Sequence, residues 1–84
     1  MELNDLRIFQ CVSLNGSMSE AARIMEYAQS NITERIRLLE QELTVKLFER
    51  TNRGVLLLPE GEQLLEYATV ILAQIDEIER HYKK

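Results

Sequence analysis

The stretch from Gly16 to Glu40 leaves this chain few ways to fold. Ser17 stands as an N-cap with Glu20 three residues on, the pattern of a capping box. A short helix over about Met18 to Met25 follows, with Ala21 and Ala22 small where another helix crosses closely. A tight turn leads to a second helix over about Gln29 to Leu43. In it Ile32, Ile36, Leu39 and Leu43 recur at helical spacing and form a buried stripe. Ser30, Asn31, Glu34, Arg37, Leu38 and Gln41 face the other way, with Thr33 and Arg35 on the flanks. Two short helices joined tightly, the second opening on small polar side chains, form a helix-turn-helix. That arrangement presents its second helix to the major groove of DNA.

The flanking segments complete the plan. A first helix over roughly Asn4 to Leu14 puts Leu6, Phe9 and Val12 near one face, with Ile8 and Cys11 beside them. Asn15-Gly16 ends it in a left-handed cap. Leu47 to Arg50 and Val55 to Leu58 read as short strands around an Asn52-Arg53-Gly54 turn. Pro59 suits the first position of a helix, and that helix continues to about Tyr82, ~36 Å at ~1.5 Å per residue. Along it Leu64, Ala68, Ile71, Ile75, Ile78 and Tyr82 repeat at alternating steps of four and three. Leu65 and Leu72 widen that stripe on one side. One small core cannot cover so long an apolar stripe. These eight residues are therefore the expected dimer interface; the alternative is that the stripe only covers the protomer's own core.

Charge is the one feature that speaks against nucleic acid. The chain carries a formal net charge of −4, with a pI near 5.0. The acidity is unevenly spread. Residues 29–53 carry Arg35, Arg37, Lys46, Arg50 and Arg53 against four glutamates, while the segments on either side are net acidic. Few phosphate contacts per subunit and modest non-specific affinity are expected. Eighty-four residues make one small domain. No apolar run approaches a membrane span, the acidic start has no signal-peptide pattern, and a single cysteine fits a reducing compartment. A cytoplasmic protein without membrane contact is expected. Cys11 and His81, seventy residues apart, give no metal-ligand spacing. Cys11 reads as a small packing residue and His81 as an exposed residue at a helix end.

In this order and spacing the chain resembles the N-terminal DNA-binding domain of LysR-type transcriptional regulators. The marks are Asp5-Leu6-Arg7-Ile8-Phe9, Gly16 to Ala22, Gln29 to Thr33, Ile36 to Glu40, Leu43, Leu47 to Arg50 and Pro59-Glu60-Gly61. The resemblance covers essentially the whole chain. It implies a mainly α fold: a winged helix-turn-helix of three helices and a two-stranded wing over 1–58, then a long linker helix over 59–84. It also implies that two linker helices pair antiparallel and set the distance between two reading helices. The family's full-length chains continue into an effector-binding domain that these residues lack, so the 84 residues read as a fragment that needs no cofactor of its own. Full length, the family implies a tetramer, a small-molecule effector and contact with RNA polymerase. The chain departs from the family pattern at Ala28, Ser30, Asn31, Glu34 and Leu58. Ala28 cannot cap, at a cost of about 1 kcal/mol, and Ser30 is the residue placed to take over part of that role.

The candidate DNA-contacting residues follow from chemistry and position. Gln29 and Asn31 can make bidentate contacts to adenine, and Ser30 and Thr33 can donate to phosphate or touch a thymine methyl. Glu34 can accept from cytosine N4, or hold Arg35 or Arg37 in place. Arg35 and Arg37 can clamp phosphate or read guanine. Arg50 and Arg53 flank the wing turn, close to backbone or minor groove. The leading reading is a homodimeric, sequence-specific DNA-binding domain on an interrupted palindrome of operator DNA. A second reading, favoured by the acidic pI, is a protein-interaction module with the helix-turn-helix as scaffold. An enzyme is poorly supported: there is no Gly-rich phosphate loop and no Cys–His pairing.

Overall fold

The computed structural model describes residues 1–83. Helix α1 spans Leu3–Asn15, α2 Met18–Met25 and α3 Gln29–Leu43. Strands β1 (Phe48–Thr51) and β2 (Gly54–Leu57) form an antiparallel hairpin, and α4 spans Pro59–Tyr82. This is the expected mainly α winged helix-turn-helix with a long C-terminal helix.

Local chemistry sets most element ends. Gly16 takes a left-handed φ of 63° and its N–H reaches the Val12 carbonyl, closing α1. Ser17 Oγ accepts from the Glu20 N–H at 3.0 Å and opens α2. The expected capping box is only half made there, because the Glu20 carboxylate turns to Arg23 instead. Asp5 does what Glu20 was expected to do, accepting from the Glu2 N–H at 2.9 Å at the start of α1. Ala28 leaves α3 without a side-chain cap, and Ser30 makes no compensating hydrogen bond. Two turns end without glycine: Glu26 and Thr44 sit at φ 59° and 56°, closing α2 and α3. Pro59 opens α4 directly after Leu58, so β2 runs into α4 through a single residue.

The core lies where α1, α3 and the root of the wing meet. Phe9, Ile8, Ile32, Leu39, Leu47 and Val12 are fully buried. Phe9 and Phe48 stack at 5.4 Å between ring centroids, tying α1 to β1. Glu40 fastens the wing to α3. Its Oε2 accepts from the N–H groups of Leu47 (2.7 Å) and Phe48 (3.2 Å), where the chain enters β1. From the other side Val55 N–H donates to the Gly16 carbonyl at 3.0 Å, so the wing is pinned at both strands. The paired strands lie one residue nearer the turn than the sequence suggests, in the same register, with Thr51 paired to Gly54 across an Asn52-Arg53 turn. Gly54 packs so closely on Gly16 that an added Cβ would lie 2.2 Å from the Gly16 carbonyl oxygen.

The apolar face of α4 divides in two. Ala68 (0% exposed) and Leu72 (3% exposed) pack into the protomer's own core, with Leu64 and Leu65 partly buried against it. Ala68 and Leu72 are therefore not dimer-interface residues. Their side chains are used up against the same chain, on the side of α4 that meets α1. Arg7 of α1 and Asp76 of α4 approach to 3.8 Å farther along the same contact.

Candidate nucleic-acid interface

Helix α3 offers its first turn to solvent. Gln29, Ser30 and Asn31 are exposed and Thr33 half-exposed, while Ile32 and Ile36 hold the opposite face in the core. The wing lies beside it. Gln29 shares a concave notch with Ser17, Ser19, Arg50 and Thr51. Thr33 and Arg37 share a second with Lys46, Glu49 and Arg50. The two concavities meet at Arg50, so α3, the start of α2 and β1 form one continuous polar face. Ser19 and Lys46 belong to this face and were not singled out from sequence. Their signal was weak: a hydroxyl in a first helical turn and one lysine before a strand.

The charges on this face are mostly answered from within the chain. Arg37 Nε and Nη2 donate to the two Glu34 oxygens at 2.9 and 2.7 Å, and Nη1 reaches Gln41. Arg23 pairs with Glu20, and Lys46 with Glu49 at 3.6 Å. Hydrogen bonding to Arg37 holds the Glu34 carboxyl below its usual range. Among the described residues Arg50 and Arg53 are the only arginines or lysines with no carboxylate in ion-pair range. Both are exposed, Arg50 on β1 and Arg53 in the wing turn.

Arg35 departs from the sequence expectation of a DNA contact. Its Nε and Nη2 both donate to Asp5 Oδ1, at 2.9 and 2.7 Å, thirty residues away on α1. The pair clamps α1 to α3. Among the described residues Asp5 is the one charged residue in the core, 6% exposed. Burial alone would push its carboxyl up. The Glu2 N–H and the Arg35 guanidinium outweigh that and hold it below the ordinary 3.8. A carboxyl depressed in the folded state stabilises fully above its unfolded pKa and loses that contribution as pH falls through the folded value. Asp5→Asn is expected to lower unfolding free energy by about 1–3 kcal/mol at pH 7. The deficit should shrink at acid pH, as urea titrations pass down through the lowered folded-state value. An equal deficit at both pH values would show that the pair adds nothing as ions.

Polar groups on an exposed helix beside a wing carrying the free cations define a winged helix-turn-helix domain. Residues 3–62 match the family described as "Bacterial regulatory helix-turn-helix protein, lysR family", and the chain belongs to that family. Among curated relatives it is 48% identical over 80 residues to the HTH-type transcriptional regulator YofA of Bacillus subtilis (strain 168). It is equally similar to the HTH-type transcriptional regulator CzcR of the same organism. Each alignment takes in 95% of this chain and 28% of the relative, so the chain spans little more than a quarter of these proteins' length. Among solved structures the BenM_DBD/catB site 1 DNA complex superposes with a TM-score of 0.94 at 36% identity, covering 99% of this chain and 93% of that one. The CbnR_DBD–DNA complex gives 0.90 at 34% identity, covering 96% and 93%.

Proposed function

We propose that this chain is the DNA-binding domain of a transcriptional regulator, reading double-stranded operator DNA as a homodimer. The observation that carries this reading is the pairing of an exposed polar first turn on α3 with the two free arginines of the adjacent wing. Gln29, Ser30, Asn31 and Thr33 enter the major groove, with Glu34 and Arg37 behind them as a paired unit. Arg50 and Arg53 take the flanking backbone or minor groove. Residues 1–58 form the reading head and α4 the dimerising helix, with Lys84 outside the described residues. Two heads then occupy successive major grooves of an interrupted palindrome. That the similar BenM and CbnR domains are described as DNA complexes supports the assignment. For the whole regulator we propose a cytoplasmic tetramer, governed by a small-molecule effector and acting through RNA polymerase. No described helix is long and apolar enough to cross a membrane.

The test is selection of bound sequences from a random DNA pool at ~0.15 M salt. An enriched interrupted palindrome is the expected result. Absence of any enrichment by a folded chain would overturn the reading. Within the enriched site, Gln29→Ala is expected to cost about 1–3 kcal/mol at one base pair and flatten preference there, leaving other positions unchanged. Equal loss at every position would mean that Gln29 touches backbone only.

A further inference from the structure

Helix α3 turns Glu34 straight away from the core. At ~100° per residue, Glu34 lies opposite the midpoint of the stripe formed by Ile32, Ile36, Leu39 and Leu43. Gln29, Thr33 and Arg37 line the notches beside the wing, whereas Glu34 lines neither. A helix laid in the major groove shows its outermost side chains to the base edges on the floor and its flanks to the phosphates. Glu34 therefore holds a base-facing position. A carboxylate is the least expected group there, because the phosphates on either side repel it.

Arg37 removes that objection. Its Nε and Nη2 donate to the two Glu34 oxygens at 2.9 and 2.7 Å, so the pair enters the groove as a neutral unit. Arg37 Nη1 reaches Gln41 Oε1 at 3.4 Å and steadies the guanidinium. Both side chains are more than half exposed, and a pair so exposed adds little to stability. What it fixes is the direction of the carboxylate. Arg35, the next cation along α3, is committed to Asp5, while Lys46, Glu49 and Arg50 share the notch with Arg37. Among the described residues only Arg37 donates to Glu34.

We infer that Glu34, held in place by Arg37, reads a cytosine in each half-site, an inference that rests on the DNA-reading function proposed above. The chemistry of the groove selects that base. A carboxylate offers about four acceptor sites and no donor. Arg37 takes one on each oxygen, which leaves each oxygen free to accept from DNA. In the major groove guanine presents only acceptors, and thymine an acceptor and a methyl. Adenine sets an N7 acceptor beside its N6 donor, which a carboxylate meets unfavourably. Cytosine alone presents a donor, its N4 amino group, with no acceptor beside it on the same base. Arg37 never touches the base. It is a positioning residue, acting through the carboxylate that it holds.

Two experiments test this. In the first, bound sequences are selected from a random DNA pool by the parent chain and by Glu34→Gln. The substituted side chain is exposed, so the variant is expected to keep the parent's helicity. The parent is expected to select one cytosine per half-site, about tenfold over the other bases. Glu34→Gln adds a donor and is expected to turn that position to adenine, whose N6 and N7 suit a carboxamide, with the rest of the site unchanged. Loss of cytosine at that position alone, without the adenine, also supports the inference. A parental site with no cytosine that responds to the variant overturns it and leaves the DNA reading standing. No enriched site at all from the parent overturns both.

The second experiment follows Arg37→Met on the selected site by fluorescence anisotropy between pH ~7.5 and ~5.5. Without its partner the Glu34 carboxyl takes up a proton more readily among the phosphates. Affinity of the variant, relative to the parent, is then expected to rise about threefold as pH falls. His81, at the far end of α4, is common to both chains and cancels in that ratio. A variant whose profile runs parallel to the parent's overturns the positioning role of Arg37.

Discussion

Gly54→Ala is expected to destabilise this domain by about 2–4 kcal/mol, a large share of the ~4–12 kcal/mol available to a chain of this size. Two effects combine. Gly54 sits at φ 138°, a conformation that side chains rarely adopt. The new methyl would also lie 2.2 Å from a backbone oxygen of Gly16, and that oxygen cannot swing aside. Gly16 itself is fixed as the cap of α1, and its carbonyl already accepts from Val55. The hairpin must move away, breaking the Val55 bond and opening the Phe9–Phe48 contact beneath it. Urea unfolding followed by circular dichroism reads the loss. A variant within 0.5 kcal/mol of the parent, on the usual scale for neutral surface changes, would show that the close approach is not real.

The second large effect concerns salt. With Arg50 and Arg53 the only unpaired arginines or lysines described, a dimer brings four cations to DNA without breaking an ion pair. At about −0.9 per neutralised phosphate, log affinity against log salt should fall with a slope near −3.6. Between 50 and 200 mM salt that is about a 150-fold loss. Removing both arginines, Arg50→Ala with Arg53→Ala, should bring the slope close to zero and weaken binding to every sequence alike. Fluorescence anisotropy on the selected site across a salt series measures both. A parental slope steeper than about −7 would mean that Arg23, Arg37 and Lys46 leave their carboxylates when DNA arrives.

Much of this was legible in the sequence because helix ends are local events. Ser17, Gly16 and Pro59 fixed α2, the end of α1 and the start of α4 through bonds within a few residues. The register of the wing was legible too, but its extension to the Thr51–Gly54 pair was not, and the close Gly54–Gly16 approach beside that pair joins positions far apart in sequence. The Arg35–Asp5 ion pair was hidden for the same reason: its two members lie on different helices. The α4 stripe carried two surfaces superimposed in one periodic pattern. Periodicity alone could not say that Ala68 and Leu72 turn inward while Ile71 and Ile78 turn out. Which cations stand free is likewise invisible in a count of charges. The polar face of α3, by contrast, followed from the apolar stripe opposite it.

The single residue between β2 and α4 has a mechanical consequence. With no slack at Leu58, α4 moves as one piece with the wing, and the hairpin is in turn held to α3 through Glu40. The reading head and its ~36 Å helix then act as a stiff lever. Each degree of tilt at the junction displaces the far end by about 0.6 Å over that length. A few degrees at the α4 pair would change the separation of the two heads by an appreciable part of a base-pair step. Operator spacing would then be measured by an angle.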